Sequence, residues 1–163
     1  MMADADISSV EAVQNSALGS VILWSFGRGY QEEVLGRLAL LHLSFLVLPI
    51  VLHRPTLDRV TTTFPSSGMG KFIEKFERHR EDLMAIHTRA LSMRRLTLEA
   101  LSTGIASGLL SLNYEEGFLR ANVVKLRSPS ERIKPYTAAA DKLGRWMARV
   151  PPANVFSLLR VRP

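Results

Sequence analysis

The sequence contains no cysteine. Disulfides, thiolate catalysis and the common zinc frameworks are thereby excluded together, and the chain must be held by its apolar core. With 163 residues, 47% of them hydrophobic, it is long enough to bury one, and the length fits one domain, or one small domain plus a satellite. A membrane-spanning run is also missing. The longest apolar block, Leu38–Leu52, would reach roughly 22 Å as a helix against a hydrocarbon layer of roughly 30 Å. The opening residues, MMADADISSVEA, are acidic, whereas a secretory leader opens on basic residues. A cytoplasmic protein without membrane contact is therefore expected.

The short motifs of catalysis are missing too. The four histidines, His42, His53, His79 and His87, make neither HExxH nor another metal spacing. There is no GxSxG elbow. Ser66-Ser67-Gly68-Met69-Gly70-Lys71 is only superficially like a phosphate loop. It lacks the GxxxxGK spacing and a buried strand before it. Glu32-Glu33 and Glu115-Glu116 fall in polar stretches, where carboxylates are simply solvated. No catalytic, cofactor or metal site is predicted, and the protein is not expected to be an enzyme.

Acidic residues run short in one region. Up to Glu116, thirteen Asp/Glu outnumber eleven Lys/Arg; from Gly117 onward, ten Lys/Arg face only Glu131 and Asp141. The whole excess of +6 thus lies in the last third. Such an asymmetry suggests an acidic partner, nucleic acid or protein; ordinary solvated faces are the plainer alternative.

What the chain has in quantity is helical periodicity, arranged around Leu38–Pro55. Between Leu38 and Leu52 only His42 and Ser44 are clearly polar, so the segment must be covered on all sides. It reads as a central buried helix kinked at Pro49, or less readily as a strand pair, with His42 as a hydrogen-bonded core histidine. His53-Arg54-Pro55 closes it, with Arg54 extended before the proline. An exposed Arg54 would make this exit the edge of a partner surface rather than a buried joint.

Upstream, residues 1–14 are expected to be flexible. Asn15 should cap a helix over Ser16–Gly29 that Gly27 and Gly29 terminate. Downstream, helical patterns cover Met69–Phe76, Arg80–Met93 and Leu96–Leu110, the last capped by Thr97. A break near Glu77–His79 is allowed. Leu110 and Leu112 alternate against Leu119, Ala121 and Val123 across Gly117, which predicts a β-hairpin running to Val124. Glu131–Val150 reads as a helix whose start lies nearer Pro135. The tail beyond Pro152 carries Val155, Phe156, Leu158 and Leu159 and must dock.

The expected fold class is mainly α: one compact helical domain over 15–163 with a winged-helix-like unit and one small β-hairpin. That unit is placed at about 69–127, and the C-terminal helix and docking tail at 130–163. Helix, helix, hairpin is the order of a winged helix. Its recognition-type helix, Leu96–Leu109, turns out Thr97, Glu99, Ser102, Thr103 and Ser107 but no Lys or Arg, which makes a poor groove reader. The hairpin carries Arg120, Lys125 and Arg127, the candidates for contact with a DNA backbone. Aromatic and Arg residues anchor protein interfaces. They gather at the end of the first helix, in Trp24, Phe26, Arg28 and Tyr30, and again in the tail.

Five blocks, ALGSVILWSFGRGYQEE, LSFLVLPIVLHRPTLDRV, SSGMGKFIEKF, KLGRWMARV and VFSLLRVRP, follow one another over nearly the whole chain. In this they resemble the middle component of bacterial three-component ABC systems, VLPIVLHRPT and FSLLRVRP being the most specific parts. The resemblance implies a small non-enzymatic bridging or regulatory subunit. Its partners would be an ABC ATPase of the coiled-coil, SMC-like type and a larger third component encoded nearby, and the setting defence against phage or other invading DNA. It carries over no active site and no cofactor. The residues expected to bind partners are Trp24, Arg28, Tyr30, His53, Arg54, Phe156 and Arg160. The alternative is a stand-alone basic winged-helix DNA-binding protein.

Overall fold

A computed structural model describes residues 15–163; the stretch 1–14, expected to be flexible, lies outside the described residues. In chain order these form α1 (Ser16–Glu33), β1 (Ala39–Leu40), a 3-10 helix (Leu41–Leu46), α2 (Val47–Val51), α3 (Arg54–Thr61) and α4 (Gly68–Glu74). Then come α5 (Arg80–Ser92), α6 (Arg94–Ala106), β2 (Leu110–Asn113), β3 (Phe118–Ala121), α7 (Lys134–Ala148) and α8 (Pro152–Leu158). The protein is mainly helical, as expected, with a small antiparallel sheet. Among the described residues no helix is long and apolar enough to cross a membrane.

α1 starts where expected, Asn15 Oδ1 accepting the Leu18 amide at 3.0 Å. It does not stop at its glycines. Gly27 and Gly29 are packing surfaces inside a helix that runs to Glu33. A Cβ on Gly29 would strike the Asp141 carbonyl oxygen, and one on Gly144 the Phe26 carbonyl oxygen. α1 and α7 therefore cross backbone against backbone, which only glycine permits. Ile22, Leu23 and Phe26 of α1 and Leu143 and Met147 of α7 are fully buried around this crossing.

The block Leu38–Leu52 is mostly buried but is not one kinked helix. It begins as β1, tightens into the 3-10 helix and ends as α2. Pro49 sits in the first turn of α2, directly after the 3-10 helix, and not in the interior of a long α-helix, where its missing amide would break a bond. The extended conformation expected at Arg54 falls on His53, and Arg54 opens α3. His42, expected in the core, is exposed and stacks on Phe156 at 5.1 Å between ring centroids.

The hairpin forms as predicted, with Leu112 opposite Leu119 and Gly117 at φ +71°. β1 then pairs with the other edge of β3, giving the order β1-β3-β2. This third strand comes from outside the 69–127 stretch. β3 ends at Ala121, short of Val124, because α1 side chains take over where β1 has run out. Gln31 Oε1 accepts the Ala121 amide at 2.7 Å and its Nε2 donates to the Ala121 carbonyl at 3.1 Å.

α6 begins two residues earlier than expected, so it carries Arg94 and Arg95. Thr97 is no cap but a buried residue in its first turn. The chain does break at 75–79, between α4 and α5.

Part of the C-terminal positive charge is absorbed by the fold. Lys142 Nζ donates to the carbonyls of Val60, Thr61 and Thr63 at the end of α3 (3.1, 3.3 and 2.9 Å). Arg145 pairs with Asp141 and Glu32, and Arg149 with Glu33, at 2.9, 2.6 and 2.7 Å.

Candidate partner-binding surfaces

A groove of about 940 Å³ runs between α1, the segment 124–129 and the start of α7. Leu18, Val21 and Trp24 line its α1 side, Val124 and Leu126 its other side. Trp24 is half-buried, and its Nε1 donates to the Asn122 carbonyl at 2.9 Å, so the ring is fixed with its body in the groove. Four residues on, Arg28 places its guanidinium 5.8 Å from the Trp24 ring centroid and pairs with Glu32 at 2.7 Å. Glu32 also takes Arg145, so Arg28, Glu32, Arg145 and Asp141 form one charged rim. Lys125 and Arg127 line the opposite wall, exposed, with no ion pair among the described residues.

Four of the residues expected from sequence thus meet in one place: Trp24, Arg28, Lys125 and Arg127. Arg120 is exposed on β3, opposite Ser111, and does not line the groove.

The remaining expected residues lie elsewhere. Tyr30 is 3% exposed, packed on Phe26, and burial raises its hydroxyl pKa above the usual value against a lowering by Arg37. It belongs to the core face of α1, opposite Trp24 and Arg28. His53 is half-buried, and its pKa is lowered by burial first and then by the Arg89 guanidinium. Next to it, Arg54 is exposed, its side chain at 66%, and lies 3.4 Å from Asp58. The exit is nevertheless tied down from inside, since the buried Thr56 hydroxyl donates to the carbonyls of Ile50 and His53. Phe156 is buried beneath His42, and Arg160 is exposed just beyond α8.

Two features escaped the sequence reading. Arg89 donates from Nε to the Pro49 carbonyl at 3.2 Å, at the end of the apolar block, while its Nη2 is buried without a partner among the described residues. Nothing local in the sequence signals that contact, forty residues distant. The second is the exposed pair Met84 and Leu91 on α5, two helical turns apart, a spacing visible in the sequence.

The family model for the ABC-three component (ABC-3C) system Middle Component 3 matches residues 4–163. No curated protein and no solved structure matches the chain.

Proposed function

The chain belongs to the Middle Component 3 family of ABC-three component systems, and from that premise we propose that it is a non-catalytic bridging subunit. It joins an SMC-like ABC ATPase to the third component encoded nearby, in a system defending against phage or other invading DNA. The observation that supports this reading is the groove holding Trp24, Arg28, Lys125 and Arg127. An amphipathic aromatic with its indole N–H already satisfied, apolar walls and a charged rim are what a protein interface uses. We read α1-β1, then α5-α6-β2-β3, as a winged-helix unit interrupted by α2–α4, which makes the groove the seam between this unit and α7. The test is co-expression of the full chain with its two encoded neighbours. The protein should co-purify with them, and Arg28→Glu with Lys125→Glu and Arg127→Glu should weaken that binding about tenfold or more. A chain that stays monomeric and binds neither neighbour overturns the reading.

One observation favours a second reading. α6 opens with Arg94 and Arg95, the latter's side chain 92% exposed, and the first residues of a recognition helix are the ones that touch bases. Arg120, Lys125 and Arg127 would then hold phosphates. Duplex DNA binding should be salt-sensitive, and the slope of log K against log salt should fall by about 3 when all three become Ala. No binding at low salt excludes it.

A further inference from the structure

A second groove, of about 790 Å³, lies between α4, α5 and the tail beyond α8. Phe76, Leu83 and Met84 form its apolar lining; Arg80, Arg160 and Arg162 stand around it. We propose that this groove receives an acidic, apolar-faced segment of one of the other two components; the proposal rests on the bridging reading above.

Three observations carry it. The first is backbone conformation. Arg160 has φ +57° and stands among the described residues as the one non-glycine in the left-handed region. It occupies the position after α8 where glycine is preferred. The Val161 amide reaches the Phe156 carbonyl at 3.0 Å and the Arg160 amide the Ser157 carbonyl at 3.2 Å, the paired bonds of a Schellman turn. Arginine there is strained relative to glycine, and its guanidinium makes no ion pair or hydrogen bond among the described residues that would offset the strain. A carboxylate of a bound partner on that guanidinium would offset it.

The second is charge. Arg80 and Arg162 are likewise exposed and without an ion pair, Glu77 is the one carboxylate lining the groove, and His87 is held as the acceptor of the Arg162 amide at 3.3 Å. The third is the apolar floor. Met84, in the groove, is 67% exposed, and Leu91, two turns further along the same face of α5 and beyond the groove, is 61% exposed. Phosphates have no use for such a floor. A peptide with carboxylates beside apolar side chains uses both halves of the groove.

The test measures affinity for the two co-expressed components, with the full-length chain throughout. Arg80→Glu, Arg160→Glu and Arg162→Glu together should weaken binding at least tenfold. Arg160→Gly separates function from folding. It should raise the melting temperature by about 2–4 °C, through relief of the left-handed strain, and still weaken binding about threefold or more. A photo-reactive residue at position 84 should crosslink to a component peptide richer in Asp and Glu than in Lys and Arg. Unchanged affinity in both the triple variant and Arg160→Gly overturns this inference and leaves the bridging reading standing. So does a triple variant that loses duplex DNA binding but keeps its components, which would assign the groove to nucleic acid. If the wild-type chain binds neither component, the bridging reading falls and this inference with it.

Discussion

Gly144 is the residue on which the α1–α7 crossing depends most visibly. A Cβ there would meet the Phe26 carbonyl oxygen and lie 2.9 Å from the Tyr30 amide nitrogen. Both obstacles are backbone of another helix and cannot swing aside as a side-chain tip could. Alanine is ordinarily better than glycine in a helix interior by about 1 kcal/mol. Overpacking against fixed atoms costs about 1–3 kcal/mol and occasionally more, so the clash wins. Gly144→Ala should lower stability by about 2 kcal/mol or more. Gly70, inside α4 with nothing within 4 Å of its Cβ position, supplies the contrast. There the propensity term acts alone, and Gly70→Ala should gain about 0.5–1 kcal/mol. Midpoints of denaturant unfolding at unchanged slope measure both changes. Similar small shifts of one sign would mean the crossing is looser than its geometry implies.

At the scale of elements, the helices with a one-sided apolar pattern were legible in the sequence, and so was the hairpin, because Gly117 and the alternation around it act locally. α5, α7 and the hairpin turn stand close to where the pattern places them. The block Leu38–Leu52 was not legible as what it is. All-round apolarity states that a segment is covered; it is the same for a helix, a 3-10 helix and a buried strand. β1, with two residues, has no alternation to read. Gly27 and Gly29 carry the local signal of a helix end, and only the closeness of Ala121 of β3 to the first and of α7 to the second turns them into contacts. The site divides in the same way. Trp24 and Arg28, four apart, share a helix face on periodicity alone, and the same periodicity turns Tyr30, two further on, to the opposite side. That Lys125 and Arg127 return across that face is a property of the tertiary fold, and no local pattern of charge announces it. The sequence marks Arg160 by its side chain; the strain that makes it informative resides in its φ.

For the whole molecule, the uneven charge of the chain becomes a fastening. The net acidic part offers Glu32 and Glu33 at the end of α1 and the carbonyls at the end of α3, and the basic part answers with Lys142 and Arg145 of α7 and Arg149 just past its end. Together with the buried α1–α7 crossing this argues that residues 15–163 unfold as one unit, and the two tryptophans allow the point to be tested. Trp24 reports on α1 and the chain after β3, through Asn122. Trp146 reports on the other side of α7, where its Nε1 donates to the Pro65 carbonyl at 3.0 Å and its ring lies 5.7 Å from Phe72. In Trp24→Phe the emission follows Trp146 alone, and in Trp146→Phe it follows Trp24 alone. Each substitution removes an indole hydrogen bond, so both variants should be less stable than the parent and comparison belongs within a variant. In each, the fluorescence midpoint should coincide with the midpoint from far-ultraviolet circular dichroism, the mark of a two-state transition. Separate midpoints would divide α1 and the sheet from α7. The groove of Trp24, Arg28, Lys125 and Arg127, built from both, would then exist only while the two are docked, and binding a partner there would drive the docking.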